Sequence, residues 1–172
     1  MPFPLLLLLV LFAPDIVHAQ PADEVVYYVF TEIASSGNSR LTTVDEAEWR
    51  IMEAEADLKA DTDAGTAVII LLGGEREGRS GIAYVGGEQY SVSLLSGNPA
   101  RKAGRRYGLL FADAENRSLT LTNGEVRRVM DTDINLDFPS DRLVELILTS
   151  DRQHLLDTSR GLRMRVSPAL RP

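Results

Sequence analysis

Apolar and polar positions alternate in short bursts along most of this chain, and the pattern lengthens to a helical period in only two places. Residues 24–33 (EVVYYVFTEI) are dense in β-branched and aromatic side chains and predict a buried strand, followed by a loop at 35–39. From Val44 the rhythm changes. Thr43 and Glu46 match a capping box, and Val44, Ala47, Ile51, Ala54 and Leu58 recur at spacings of three or four, predicting an amphipathic helix to about residue 60. Residues 66–72 (TAVIILL) are apolar throughout and predict a central strand; if it lies beside 24–33, the helix becomes a crossover.

Short strands are then expected at 81–85, 88–95, 106–112, 118–122 and 125–130. Turn residues separate them, including Gly86-Gly87 and Asn123-Gly124, the latter a strong hairpin signal. Residues 140–156 predict a second helix, capped at Ser140 and broken near Ser150, and 161–166 (GLRMRV) a final strand. No internal repeat is evident. The expected fold is α+β: a mainly antiparallel sheet, one long N-terminal amphipathic helix and a second C-terminal helix.

The most regular alternation is MDTDINLDF at 130–138, which places Asp131, Asp133, Asn135 and Asp137 on one strand face and Met130, Thr132, Ile134, Leu136 and Phe138 on the other. As a calcium loop starting at Asp131 it has oxygen ligands at positions 1, 3 and 5. It carries Leu136 where the sharp turn needs glycine, and Arg142 where the closing glutamate belongs. A half-buried strand fits all nine residues, with Arg163 and Arg165 on an adjacent strand as countercharges.

Composition narrows the function. Residues 1–19 pair an apolar run (5–13) with Val17-His18-Ala19 and resemble a secretory signal peptide, leaving 20–172 as a single domain without a transmembrane segment. The sequence has no cysteine, which excludes disulfides, thiolate nucleophiles and Cys-ligated zinc. Residues 20–63 hold 11 acidic side chains against three basic ones, and the net charge of −7 argues against nucleic acid as a partner. Once 1–19 are removed, His154 is the only histidine, so a multi-histidine metal centre is excluded and His154 reads as a surface residue. The glycine-rich stretch 73–80 departs from a phosphate loop by one residue and by Arg79 in place of lysine. Asn116-Arg117-Ser118 matches an N-glycosylation sequon, relevant only in a eukaryotic host, and Trp49 reads as core edge.

The one dense basic cluster, Arg101, Lys102, Arg105 and Arg106, is the expected ligand-binding surface, with an acidic ligand or an envelope protein as partner. The expected function is that of an exported (periplasmic or secreted) accessory or binding protein without catalysis and without cofactors. Two alternatives remain: a carboxylate-dependent hydrolase of envelope glycans built on Asp131, Asp133 and Asp137, and a weak calcium module.

Overall fold

A computed structural model describes residues 24–37, 39–52, 63–74, 77–139 and 143–170, and the expected signal peptide lies outside them. The described chain is all-β, so the α+β expectation with two helices is overturned. Six strands form the first lobe: β1 (Glu24–Gly37), β2 (Arg40–Thr43), β3 (Glu48–Ile51), β4 (Ala67–Leu72), β5 (Ser80–Val85) and β6 (Glu88–Ser96). They pair antiparallel in the order β1-β2-β3-β6-β5-β4, and β4 returns to β1, closing a barrel. Inward positions alternate, so Val29, Leu41, Trp49, Ile51, Val68, Ile70, Val85 and Val92 fill its interior.

The second lobe repeats this plan. Its strands are β7 (Arg101–Asp113), β8 (Ser118–Leu121), β9 (Val126–Arg128), β10 (Glu145–Thr149), β11 (His154–Asp157) and β12 (Leu162–Arg165). β7 pairs with β8 and β10, β8 with β9, and β11 with both β10 and β12. The β9–β12 seam is made by the isolated bridges Val126–Leu170 and Val129–Val166. Its core holds Tyr107, Leu119, Leu121, Leu146, Leu148, Leu155 and Met164.

The correspondence extends to single hydrogen bonds. Thr43 N–H donates to the Ala47 carbonyl and Leu121 N–H to that of Glu125; Ile51 N–H donates to Ser39 O and Val129 N–H to Arg117 O. Glu46 and Gly124 take the same positive-φ turn position (φ 62° and 80°), as do Ser39 and Arg117 (57° and 50°). β1 and β7 pair antiparallel with Tyr27 opposite Ala103, Val25 opposite Arg105 and Val29 opposite Arg101. A pseudo-twofold axis therefore passes between Tyr27 and Ala103, exchanging the lobes. The chain is an architectural repeat without a sequence repeat, so the duplication is visible in backbone register alone.

Both β1 and β7 are long because each serves two partners along one edge. β1 pairs with β7 over its first half and then with β2, with a bulge between Ile33 and Ser35; β7 pairs with β1 up to Arg106 and then with β8, with a bulge between Leu109 and Phe111. Around the axis, the outer faces of β4–β5 and β10–β11 fold over a third apolar cluster of Val26, Tyr28, Ile69, Leu71, Tyr84, Ile147 and Leu156. Gly104 sits at this seam, where an added Cβ would lie 2.6 Å from Ile147 Cγ2 and 2.9 Å from the Leu148 carbonyl oxygen. Gly104→Ala is expected to cost about 1–3 kcal/mol as overpacking, measurable as a lower urea midpoint. A midpoint equal to the parent's would mean that the seam is looser than described.

The helix expectation over 43–60 fails for a physical reason. Ala47, Trp49 and Ile51 are buried in strand alternation, while Val44, which heads the helical stripe, is 57% exposed. Thr43 does not cap a helix; its Oγ1 contacts the Asp45 carboxylate and donates to the Ala47 carbonyl in the β2–β3 turn. Residues 53–60 lie outside the described residues. The second expected helix is the β10–β11 hairpin, turned at Arg152 with φ 57°; residues 140–142 are not among those described. Its apolar run Leu146–Leu148 is covered on both faces, a pattern that periodicity cannot tell from a buried helix.

The segment 130–138 is a correction too: it is the β9–β10 connection, bent at 132–134 and outside the named strands. It does run beside β12, where Met130 N–H donates to the Arg165 carbonyl and Arg165 N–H donates to Asp131 Oδ2 at 2.6 Å. Ile134, Leu136 and Phe138 close over the second core. Arginines hold its backbone: Arg117 donates to the Asp131 and Ile134 carbonyls and Arg160 to that of Asn135, with the Arg160 guanidinium 4.2 Å from the Phe138 ring centroid.

Candidate functional site

The four cations expected to form one patch lie on β7, and strand alternation divides them. Arg101 and Arg105 share one face, Lys102 and Arg106 the other. Arg106 faces two carboxylates, Glu24 at 3.8 Å and Glu145 at 3.9 Å. Among the candidate cation ligands, Asp133, Asn135 and Asp137 are exposed and Asp131 faces Arg165 (Nε 3.7 Å away). Among the described residues no group of three or more His, Asp or Glu side chains is placed to hold a metal ion. Trp49 is fully buried inside the first barrel, away from any surface.

A different set of side chains converges on the seam. Tyr28, Phe30, Lys102, Thr149, Ser150, Asp151, Leu156 and Arg163 line a crevice of about 250 Å³. Lys102 is the direct cross-strand partner of Tyr28, so both project from the same sheet face. Tyr28 is only 2% exposed. Burial, with Asp151 nearby and against the opposing pull of Arg163, pushes its hydroxyl up to about 12, so it keeps its proton.

The β10–β11 turn supplies the rim. Thr149 Oγ1 donates to Asp151 Oδ1, as does Gln153 N–H at 2.9 Å; led by the Thr149 bond, these contacts hold the carboxyl below its usual range. His154 Nδ1 lies 3.5 Å from Asp151 Oδ2. Arg163 Nη2 lies 3.1–3.2 Å from both His154 ring nitrogens, and its guanidinium is 5.7 Å from the Phe30 centroid. With Arg163 against the whole ring, His154 positions a cation and does not face a hydroxyl nucleophile.

The pseudo-twofold provides an internal control. The equivalent crevice on the first lobe includes Glu24, Val26, Leu71, Gly73, Ile82, Tyr84 and Arg106. Register places Val26 at the position of Lys102, Leu71 at that of Thr149, Gly73 at that of Asp151 and Ile82 at that of His154. The barrel architecture therefore does not require polar side chains at these positions. The charges in the first crevice also compensate one another, through Arg106 and its two glutamates.

Fold and site define an all-β protein of two pseudo-symmetric six-stranded lobes with one differentiated polar crevice at their seam. No protein-family model matches the chain, and neither a curated protein nor a solved structure shows significant similarity to it. Among the described residues no helix is long and apolar enough to cross a membrane, a statement that concerns helices alone. Sequence reading missed Tyr28, Thr149, Asp151, His154 and Arg163 because β1, the β10–β11 turn and β12 bring them together. Reading 145–157 as a hairpin was the one available signal, since it puts Thr149, Asp151 and His154 around a turn.

Proposed function

We propose that this is an exported, non-catalytic binding protein that takes an acidic ligand at the seam crevice. The observation that carries the reading is the polar substitution of one of two equivalent crevices, which brings together two cations, Lys102 and Arg163, from different strands. Neither cation has a carboxylate ion-pair partner among the described residues. Export rests on the signal-like pattern of 1–19, and places the protein in the periplasm or outside the cell. Packed apolar side chains fill the interior of the first lobe, and in the second they surround the buried Arg127. The hydrolase alternative has only exposed or Arg-bound carboxylates in the 131–137 segment to work with.

Capture on immobilised polygalacturonate and polyaspartate tests this. Lys102→Ala/Arg163→Ala is expected to lower capture at least about tenfold with little change in melting temperature, since loss of two charge-assisted contacts exceeds about 1.4 kcal/mol. Arg101→Ala/Arg105→Ala, on the opposite sheet face, is expected to retain capture. Equal retention by both double variants refutes the site.

A further inference from the structure

We infer that the crevice seats one compact oxyanion, a carboxylate or a phosphate monoester, between Lys102 and Arg163 with the Tyr28 hydroxyl donating from its floor. This rests on the acidic-ligand reading and narrows it to a chemical group. The volume of about 250 Å³ is below that of typical sites for drug-sized molecules, so it suits a terminal group and not a whole sugar or peptide.

The donors are complementary in kind. Lys102 supplies a mobile point charge, whereas Arg163 supplies a planar fork held by the His154 ring and Phe30 face. Tyr28 adds a neutral donor that stays protonated at any physiological pH. Tyr28 lines the crevice, and an oxyanion seated there would accept from its hydroxyl in a charge-assisted bond. Among the described residues Asp151 is the only carboxylate lining the crevice. Its oxygens are engaged by Thr149, Gln153 and His154, so it braces the rim, and the remaining balance of the lining is one positive charge. The first-lobe crevice lacks this combination: Val26 replaces the lysine, and its arginine already faces two carboxylates.

Calorimetric titration of the full chain with inorganic phosphate and with acetate, against chloride at matched ionic strength, tests the assignment. Saturable binding of phosphate or acetate, and none of chloride, is expected. The tighter of the two identifies the source as a phosphate monoester or a carboxylate. Tyr28→Phe keeps the packing and removes the donor, so it is expected to weaken that binding about tenfold without lowering the melting temperature. Absence of saturable binding by both anions, or unchanged affinity in Tyr28→Phe, overturns the assignment. If the Lys102→Ala/Arg163→Ala variant still loses polymer capture in that event, the acidic-ligand reading stands alone. If it does not, both fall.

Discussion

Replacing Trp49 with alanine is expected to lower the unfolding free energy by about 3–5 kcal/mol, the range for deleting a large buried aromatic side chain. Trp49 is 0% exposed and lies among Leu41, Ile51 and Leu94 at the centre of the first barrel. The closed strand order limits how far the walls can collapse onto the void. Its Nε1–H has no hydrogen-bond partner among the described residues, so the native state already bears the desolvation of that group. Trp49→Phe removes the unpaired donor while retaining most of the ring, and should cost less than about 1.5 kcal/mol. Urea unfolding with unchanged slope would measure both. If phenylalanine proves as damaging as alanine, the indole N–H has a partner in solution and the account of this core is wrong.

Arg127→Ala is expected to cost about 3–5 kcal/mol, the penalty for breaking a buried ionic contact from one side. Arg127 occupies in the second lobe the position that Trp49 holds in the first, since Leu41 pairs with Trp49 and Leu119 with Arg127. It is 1% exposed. Its guanidinium donates to the Glu125 carboxylate and to the carbonyls of Arg152 (3.3 Å) and Ser167 (3.1 Å). Truncation therefore orphans two carbonyls and leaves Glu125 dependent on Arg152 alone. Arg127→Lys should recover less than half of the loss, because an ammonium cannot reproduce the fork that reaches three partners.

The same contact sets an acid dependence. Burial would raise the Glu125 carboxyl, but hydrogen bonds from Arg127 and Arg152 outweigh it and hold the group below its ordinary 4.5. A depressed carboxylate contributes stability that is complete above 4.5 and is lost as pH falls through the lower folded value. The parent should therefore lose stability on acidification partly through Glu125, and Arg127→Ala should show a shallower decline. Equal slopes in the two proteins would assign the acid sensitivity to other carboxylates.

Much of the strand content was legible in local pattern. The predicted strands at 24–33, 66–72, 81–85 and 88–95 correspond to β1, β4, β5 and β6, and Asn123-Gly124 makes the β8–β9 turn. These segments carry alternation, β-branched residues or glycine turns that act over a few residues. The two helical expectations failed where an apolar spacing fits both periods. Ala47 and Ile51 satisfy a helical stripe, and only the burial of Trp49 between them shows that the strand period won. Strand propensity depends on cross-strand partners, here Leu41 and Leu94 for Trp49, and those are not local.

The candidate site was less legible than the fold. The basic cluster was visible as composition, but whether its members act together depends on alternation along β7, which sent Lys102 and Arg106 one way and Arg101 and Arg105 the other. Asp131 was expected opposite an arginine and does meet Arg165, although the segment 130–138 is a pinned connection and not a strand.

By itself the sequence determined the cysteine-free composition, the acidic balance, most strand positions and their turns, because each depends on neighbours in the chain. Tertiary structure alone decided that the chain closes into two lobes about an axis at Tyr27 and Ala103. It also decided that Lys102, Tyr28 and Arg163 meet at the seam. The physical reason is that antiparallel pairing and barrel closure join residues far apart in sequence, and conserve backbone register without conserving the side chains that would announce it.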